Sequence, residues 1–131
     1  MLGNPLPPLG SMNTQELLSR YMAGQRDFSN LNLIAVNLRN LNLSGINFSG
    51  ANLTKANLTR TNLSCANLAN TILTGANFAG TNLVRANLRN ANLSDSNLQD
   101  AHMSQAHLQG AILPIGFAPN APSAQIKAQT S

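Results

Sequence analysis

The sequence predicts an all-β solenoid led by a short α-helix. Three observations carry this. A large apolar residue returns every five positions, from Phe28, Leu33 and Leu38 through to Leu113, eighteen times without a slip. A second, usually smaller residue stands two places before each, as Ala51 before Leu53 and Ala66 before Leu68. The two places that follow carry turn chemistry, as in Ser44-Gly45, Ser49-Gly50, Thr74-Gly75 and Ala79-Gly80. Internal repetition of this regularity sets the architecture before any local propensity is weighed.

A period of five suits neither common element. In an α-helix five residues advance about 500°, so the leucines would spiral around the axis and form no stripe. In a flat strand an odd spacing would send successive leucines to opposite faces. All eighteen stay inside only if each repeat makes the same short extended step and then the same turn. Within the step, Ala51 and Leu53 are two apart and point the same way, while Asn52 between them points outward. Gly in the turn tolerates positive φ, and Ser or Thr can bond nearby backbone groups. Strand and bend in alternation wind the chain into a coil, and coils stack over a continuous core. Periodicity alone leaves open how many repeats close one coil.

Composition agrees. Aromatic residues make up 4% of the 131 and Trp is absent, too little for a broad globular core but enough for a narrow coil. Charged residues are 9%, and thirteen Asn hold the outward middle place of the repeats. Stacked coils set like side chains above each other, and neutral Asn avoids the repulsion an Asp column would suffer. Net charge is +4. Cys65 is single and sits at a turn place, so no disulfide can form within one chain, which suits a reducing compartment. No apolar run has signal-peptide or membrane length, so a cytoplasmic chain without membrane insertion is expected.

Tandem A-N-L-x-x from Arg26 to Ile115 resembles the pentapeptide-repeat proteins. That resemblance implies a right-handed quadrilateral β-helix with four repeats per coil, hence four and a half coils here. At about 4.8 Å per coil the rod would be roughly 20 Å long. Phe28 and Phe48 should share a column, with rings about 4.8 Å apart along the axis.

The ends need caps, because a solenoid exposes an apolar cross-section at each. Asn13-Thr14-Gln15-Glu16 reads as a capping box. Leu17, Leu18 and Tyr21 then form a helical stripe, and Gly24 is a natural stop. A helix over Thr14 to Ala23 should fold over the first coil. Leu31, Val36, Leu41 and Ile46 supply the bulk there, where later repeats have Ala, Thr or Ser. Glu16 to Phe28, E-L-L-x-R-Y-x-x-G-x-R-D-F, resembles the entry segment of cyanobacterial pentapeptide-repeat proteins, which makes Met12 a candidate start with Met1 to Ser11 an added leader; a genuine N-terminal tail is the alternative. Pro114 breaks the repeat, and Ile115 and Phe117 should cover the last coil; a dimer contact through them is the alternative. The chain thus divides into a disordered leader (1–12), a capping helix (13–25), the repeat β-helix (26–115), and cap residues with a disordered tail (116–131).

A search for chemistry finds little. Asp95 and Asp100 are one repeat apart, expected on neighbouring sides and divergent. His102 and His107 occupy outward places of consecutive repeats, so a bend of roughly 90° should part them, short of the four ligands of a structural zinc site. No phosphate-cradling or nucleophile motif occurs. No catalytic, cofactor-binding or metal residue is therefore assigned, and no cofactor. The basic residues scatter over all sides, with only Arg39 and Arg60 close together, and lack the aromatic-lined stripe of a specific nucleic-acid site. The expected function is non-enzymatic: a rigid protein-interaction or structural module with an unknown protein partner, monomeric or dimerised end to end. A DNA-mimic topoisomerase regulator, a role the resemblance raises, needs a dense acidic surface that this chain lacks. A weak binder of anionic surfaces or nucleic acid is the other alternative.

Overall fold

A computed structural model describes residues 11–117. It contains one helix, α1 (Thr14–Met22), followed by a coil of isolated parallel bridges. The bridges between coils set the register: Asn47 pairs with Asn67, Asn57 with Asn77 and Asn62 with Asn82, each twenty residues on. Twenty residues are four repeats, so each coil has four sides. Each side contributes a single bridging residue, because the chain turns before a longer ladder can form.

Every repeat uses the same bonds. Leu68 N–H donates to Asn87 O of the next coil at 2.7 Å, and Asn67 N–H donates back to Ile46 O at 2.9 Å. At the corner, Asn70 N–H reaches Arg89 O at 2.9 Å. Each turn closes on itself, as Ala66 N–H to Leu63 O at 3.0 Å. The second turn residue always has positive φ. Glycine takes it at Gly45, Gly50, Gly75, Gly80 and Gly110, but twelve non-glycine residues take it too, at 55–63°. Among them are Ala35, Lys55, Arg60, Cys65 and Arg85. An L-residue there costs on the order of 1–2 kcal/mol, so the packed coil imposes the conformation on residues that do not favour it.

The inward columns are closed to solvent. Phe48, Leu53, Leu58, Leu63, Leu68, Leu73 and Phe78 have no exposed surface. Phe28 and Phe48 do share a column, but their centroids are 6.4 Å apart with the planes at 64°. The expected axial stacking gives way to an edge-to-face contact, which the ring quadrupole prefers.

α1 covers the first coil. Asn13 caps it, accepting from Glu16 N–H at 2.8 Å, and Glu16 pairs with Arg20 rather than completing a capping box. Leu17 is fully buried and Tyr21 nearly so. Helix and flanks also supply partners to the open backbone edge, one for each side. Gln25 donates to Asp27 O at 2.8 Å, Thr14 to Asn37 O at 2.8 Å and Tyr21 to Ser44 O at 2.7 Å. Ser11 bridges to Asn32 on the remaining side. The expected leader is therefore two residues too long, since Ser11 pairs with the coil and Met12 packs against its core. At the far end Phe117 packs against the core, but Ile115 is fully exposed and covers nothing. The remainder of the expected leader and tail, 1–10 and 118–131, lies outside the described residues.

Candidate interaction faces

The outward surface consists of three kinds of column per side: the middle residue of each repeat and the two turn residues after it. In the middle columns all thirteen Asn act alike. Each Oδ1 accepts the backbone N–H two residues on, from Asn32 to Ile34 through Asn97 to Gln99, as at Asn47 with Ser49 at 2.9 Å and Asn67 with Ala69 at 3.0 Å. This is an Asx turn that fixes the first residue of each corner. Its signal was present in the i to i+2 spacing of Asn and turn; outward direction and neutral charge explain only why Asn is permitted. Asn97 also donates to Asn77, and Asn62 to Asn42, each at 3.2 Å, beginning an amide ladder along the rod.

Asp27 replaces Asn at the head of one column and makes the same turn. Its Oδ1 accepts from the Ser29 hydroxyl at 2.6 Å and from Ser29 N–H at 3.0 Å. Those bonds, the hydroxyl first, hold its carboxyl below the ordinary value.

The candidate catalytic and metal groups do not converge. His102 is exposed, while His107 on the adjoining side meets the Arg89 guanidinium across 3.2 Å. Among the described residues no group of three metal-ligating side chains forms. Cys65 is exposed at a corner. The geometry can present fixed polar groups; it offers no converged acid, base or nucleophile.

The two outward acids of the later coils do not diverge as the sequence suggested. Asp95 and Asp100 occupy successive corners, so they bound one side together rather than diverging on two. That side is the one with Leu38, Leu58, Phe78 and Leu98 inward, and Lys55 and Arg60 bound it two coils earlier. Isoleucines break the polar surface elsewhere: Ile34, Ile72 and Ile112 stand exposed on the side of Leu33 and Leu53. No helix of the described residues is long and apolar enough to cross a membrane.

Comparison with known proteins agrees with this architecture. The family model for pentapeptide repeats matches in eight copies, over stretches that run from 27 to 114. HetL, a pentapeptide repeat protein involved in heterocyst differentiation regulation from the cyanobacterium Nostoc sp. strain PCC 7120, is 34% identical, with a TM-score of 0.57. The match covers 76% of this chain but only 46% of HetL, so the chain spans about half that protein's length. The pentapeptide repeat protein alr5209 from Nostoc PCC 7120 is 32% identical over 91% of this chain and 97% of its own, with a TM-score of 0.62. No curated protein matches. With its tandem five-residue period, four-sided coil and matching family model, the chain belongs to the pentapeptide-repeat family.

Proposed function

We propose that this right-handed, four-sided rod is a non-enzymatic interaction module that offers flat faces to a protein partner. The observation that carries this is the division of labour within each repeat. Inward residues and backbone bonds hold the coil, while outward residues beyond the Asx turn are free to vary. A surface of fixed Cα spacing with interchangeable side chains suits recognition, because little entropy is lost in ordering it. The likeness to HetL, a protein involved in regulation of heterocyst differentiation, supports a regulatory setting. The lone thiol suits a reducing compartment, so the partner is sought in the cytoplasm.

The test is capture from native lysate by the immobilised chain, repeated with four variants that each carry charge reversals or insertions on one side. One variant should lose a captured protein that the other three retain. Retention by all four would overturn face-directed recognition. Mimicry of DNA is the weaker reading, since the outward acids of the rod are only Asp27, Asp95 and Asp100. Inhibition of a topoisomerase in a supercoiling assay would restore it.

A further inference from the structure

We propose that the side bounded by Lys55, Arg60, Asp95 and Asp100 is a self-docking surface, on which a second copy of this chain packs antiparallel. Most charged side chains among the described residues have a partner in their own chain. Glu16 pairs with Arg20, Arg26 lies over the Tyr21 ring, Asp27 bonds Ser29, and Arg60, Arg85 and Arg89 bond Asn40, Gln105 and His107. The four whose side chains have none are Arg39, Lys55, Asp95 and Asp100. All four lie on, or at the corners of, this one side.

Their arrangement is self-complementary. A two-fold axis lying in the plane of contact and running across the rod at its third coil, through Asn77, sets each edge over the same edge of the second copy and reverses the order of the coils. Lys55, on one edge of the second coil, then falls opposite Asp95 on the same edge of the fourth. Arg60 likewise falls opposite Asp100, and Gly75 and Gly80 each opposite its own symmetry mate. Both charge pairs occur twice by symmetry, as an isologous contact requires. Between the charged rows, Gly75, Gly80 and Ala79 add no bulk of their own, and the Lys55 and Arg60 stems lie beside the two glycines. Asn77 of each copy meets its symmetry mate near the axis, where amides donate and accept equally well. Within one chain the opposed charges are two coils, about 10 Å, apart, and they form no ion pair. A second copy is therefore the partner that satisfies Lys55, Asp95 and Asp100 together.

One side of four coils is small beside the roughly 1,000 Å² of a permanent interface. The association is accordingly weak, electrostatic and salt-sensitive. It stands whether or not a different protein binds the remaining sides.

Sedimentation equilibrium of the full chain tests it, at protein up to about 1 mM and salt of about 20 mM against about 500 mM. A dimer is expected at low salt and its loss at high salt. Asp95→Lys should weaken dimerisation at least about tenfold, since it places two cations opposite. Lys55→Asp should do the same by placing two acids opposite. The double exchange Lys55→Asp/Asp95→Lys should restore it, which also shows that the substitutions leave the fold intact. Arg85→Asp makes the same charge change on a remote corner and should have no comparable effect. A monomer throughout, failure of the double exchange to restore association, or equal sensitivity to Arg85→Asp would each overturn the proposal. Insensitivity to all four variants would point to end-to-end association instead and would overturn it too.

Discussion

Leu68→Ala tests the packing where the rod has least freedom to adjust. Leu68 has no exposed surface and lies in a column between Phe48 and Leu88. The coils above and below cannot close over the vacancy. Phe48 N–H is fixed to Asn67 O at 2.8 Å and Leu68 N–H to Asn87 O at 2.7 Å, and collapse would break both. Removing three carbons forfeits about 2.4 kcal/mol at roughly 0.8 per methylene. An unrelaxed cavity adds to that, so a loss of about 3–5 kcal/mol is expected, a large part of the roughly 5–15 kcal/mol a domain has in total. Two controls set the scale. Leu113→Ala, at the half-buried last coil, should cost about 1 kcal/mol, and Ser64→Ala at a corner less than about 0.5. Equilibrium urea denaturation followed by circular dichroism measures all three. A Leu68→Ala loss equal to that of Leu113→Ala would mean that mid-rod coils relax as freely as the end, and the argument from fixed coil spacing would fail.

The remaining expectations concern corners, cap and acid. Ala35→Gly should raise stability by about 0.5–1 kcal/mol, because relief of left-handed strain outweighs the added chain entropy; a lower melting temperature would contradict it. Gly50→Ala should be more damaging than Gly45→Ala at nearly the same φ, since the new Cβ at Gly50 overlaps the Asn30 side-chain oxygen while that at Gly45 meets open space. Tyr21→Phe leaves Ser44 O without its donor and should cost about 1 kcal/mol; unchanged denaturation would show that water serves that edge equally well. The folded-state pKa of Asp27 lies below its ordinary value of 3.8. Its contribution is therefore present above that value and lost as pH falls through the lower, folded one. Asp27→Asn keeps the Asx acceptor without the titration, so its stability should fall less in that acid window than that of the parent chain.

How much of this was legible follows from what repeats and what does not. The eighteen-fold register showed every inward column, because burial leaves the same mark on each repeat. The helical cap was readable from Asn13 and the Leu17–Tyr21 stripe for the same reason: each element has a local period or a local cap. The left-handed corner was only half visible. Gly45 and Gly75 announce it, but Lys55, Arg60 and Cys65 adopt it without any propensity of their own, forced by the coils on either side. Ile115 was misread because an apolar residue after the last repeat invites burial, whereas Pro114 and the corner geometry turn it outward to full exposure. The pairing of Asp95 with Asp100 on one side was missed because turn residues were assigned to sides, when a corner belongs to both sides it joins.

That last error bears on function. In a repeat chain, whatever every copy shares is explained by the coil: Leu by burial, Ala by the narrow interior, Asn by the Asx turn. Information about recognition must then lie where copies differ without structural cause. The corner column of Ala35, Lys55, Gly75 and Asp95 and that of Asn40, Arg60, Gly80 and Asp100 vary in parallel. In both the order is neutral, basic, glycine, acidic. Coil stability does not ask for the sign: all of these residues have positive φ, which glycine, Asn and Asp tolerate best, yet Lys55 and Arg60 take it at greater strain. Two adjacent corners that change sign together make one side of the rod electrically directional. A directional face can distinguish the two ends of whatever lies along it, which an unbroken amide ladder cannot do.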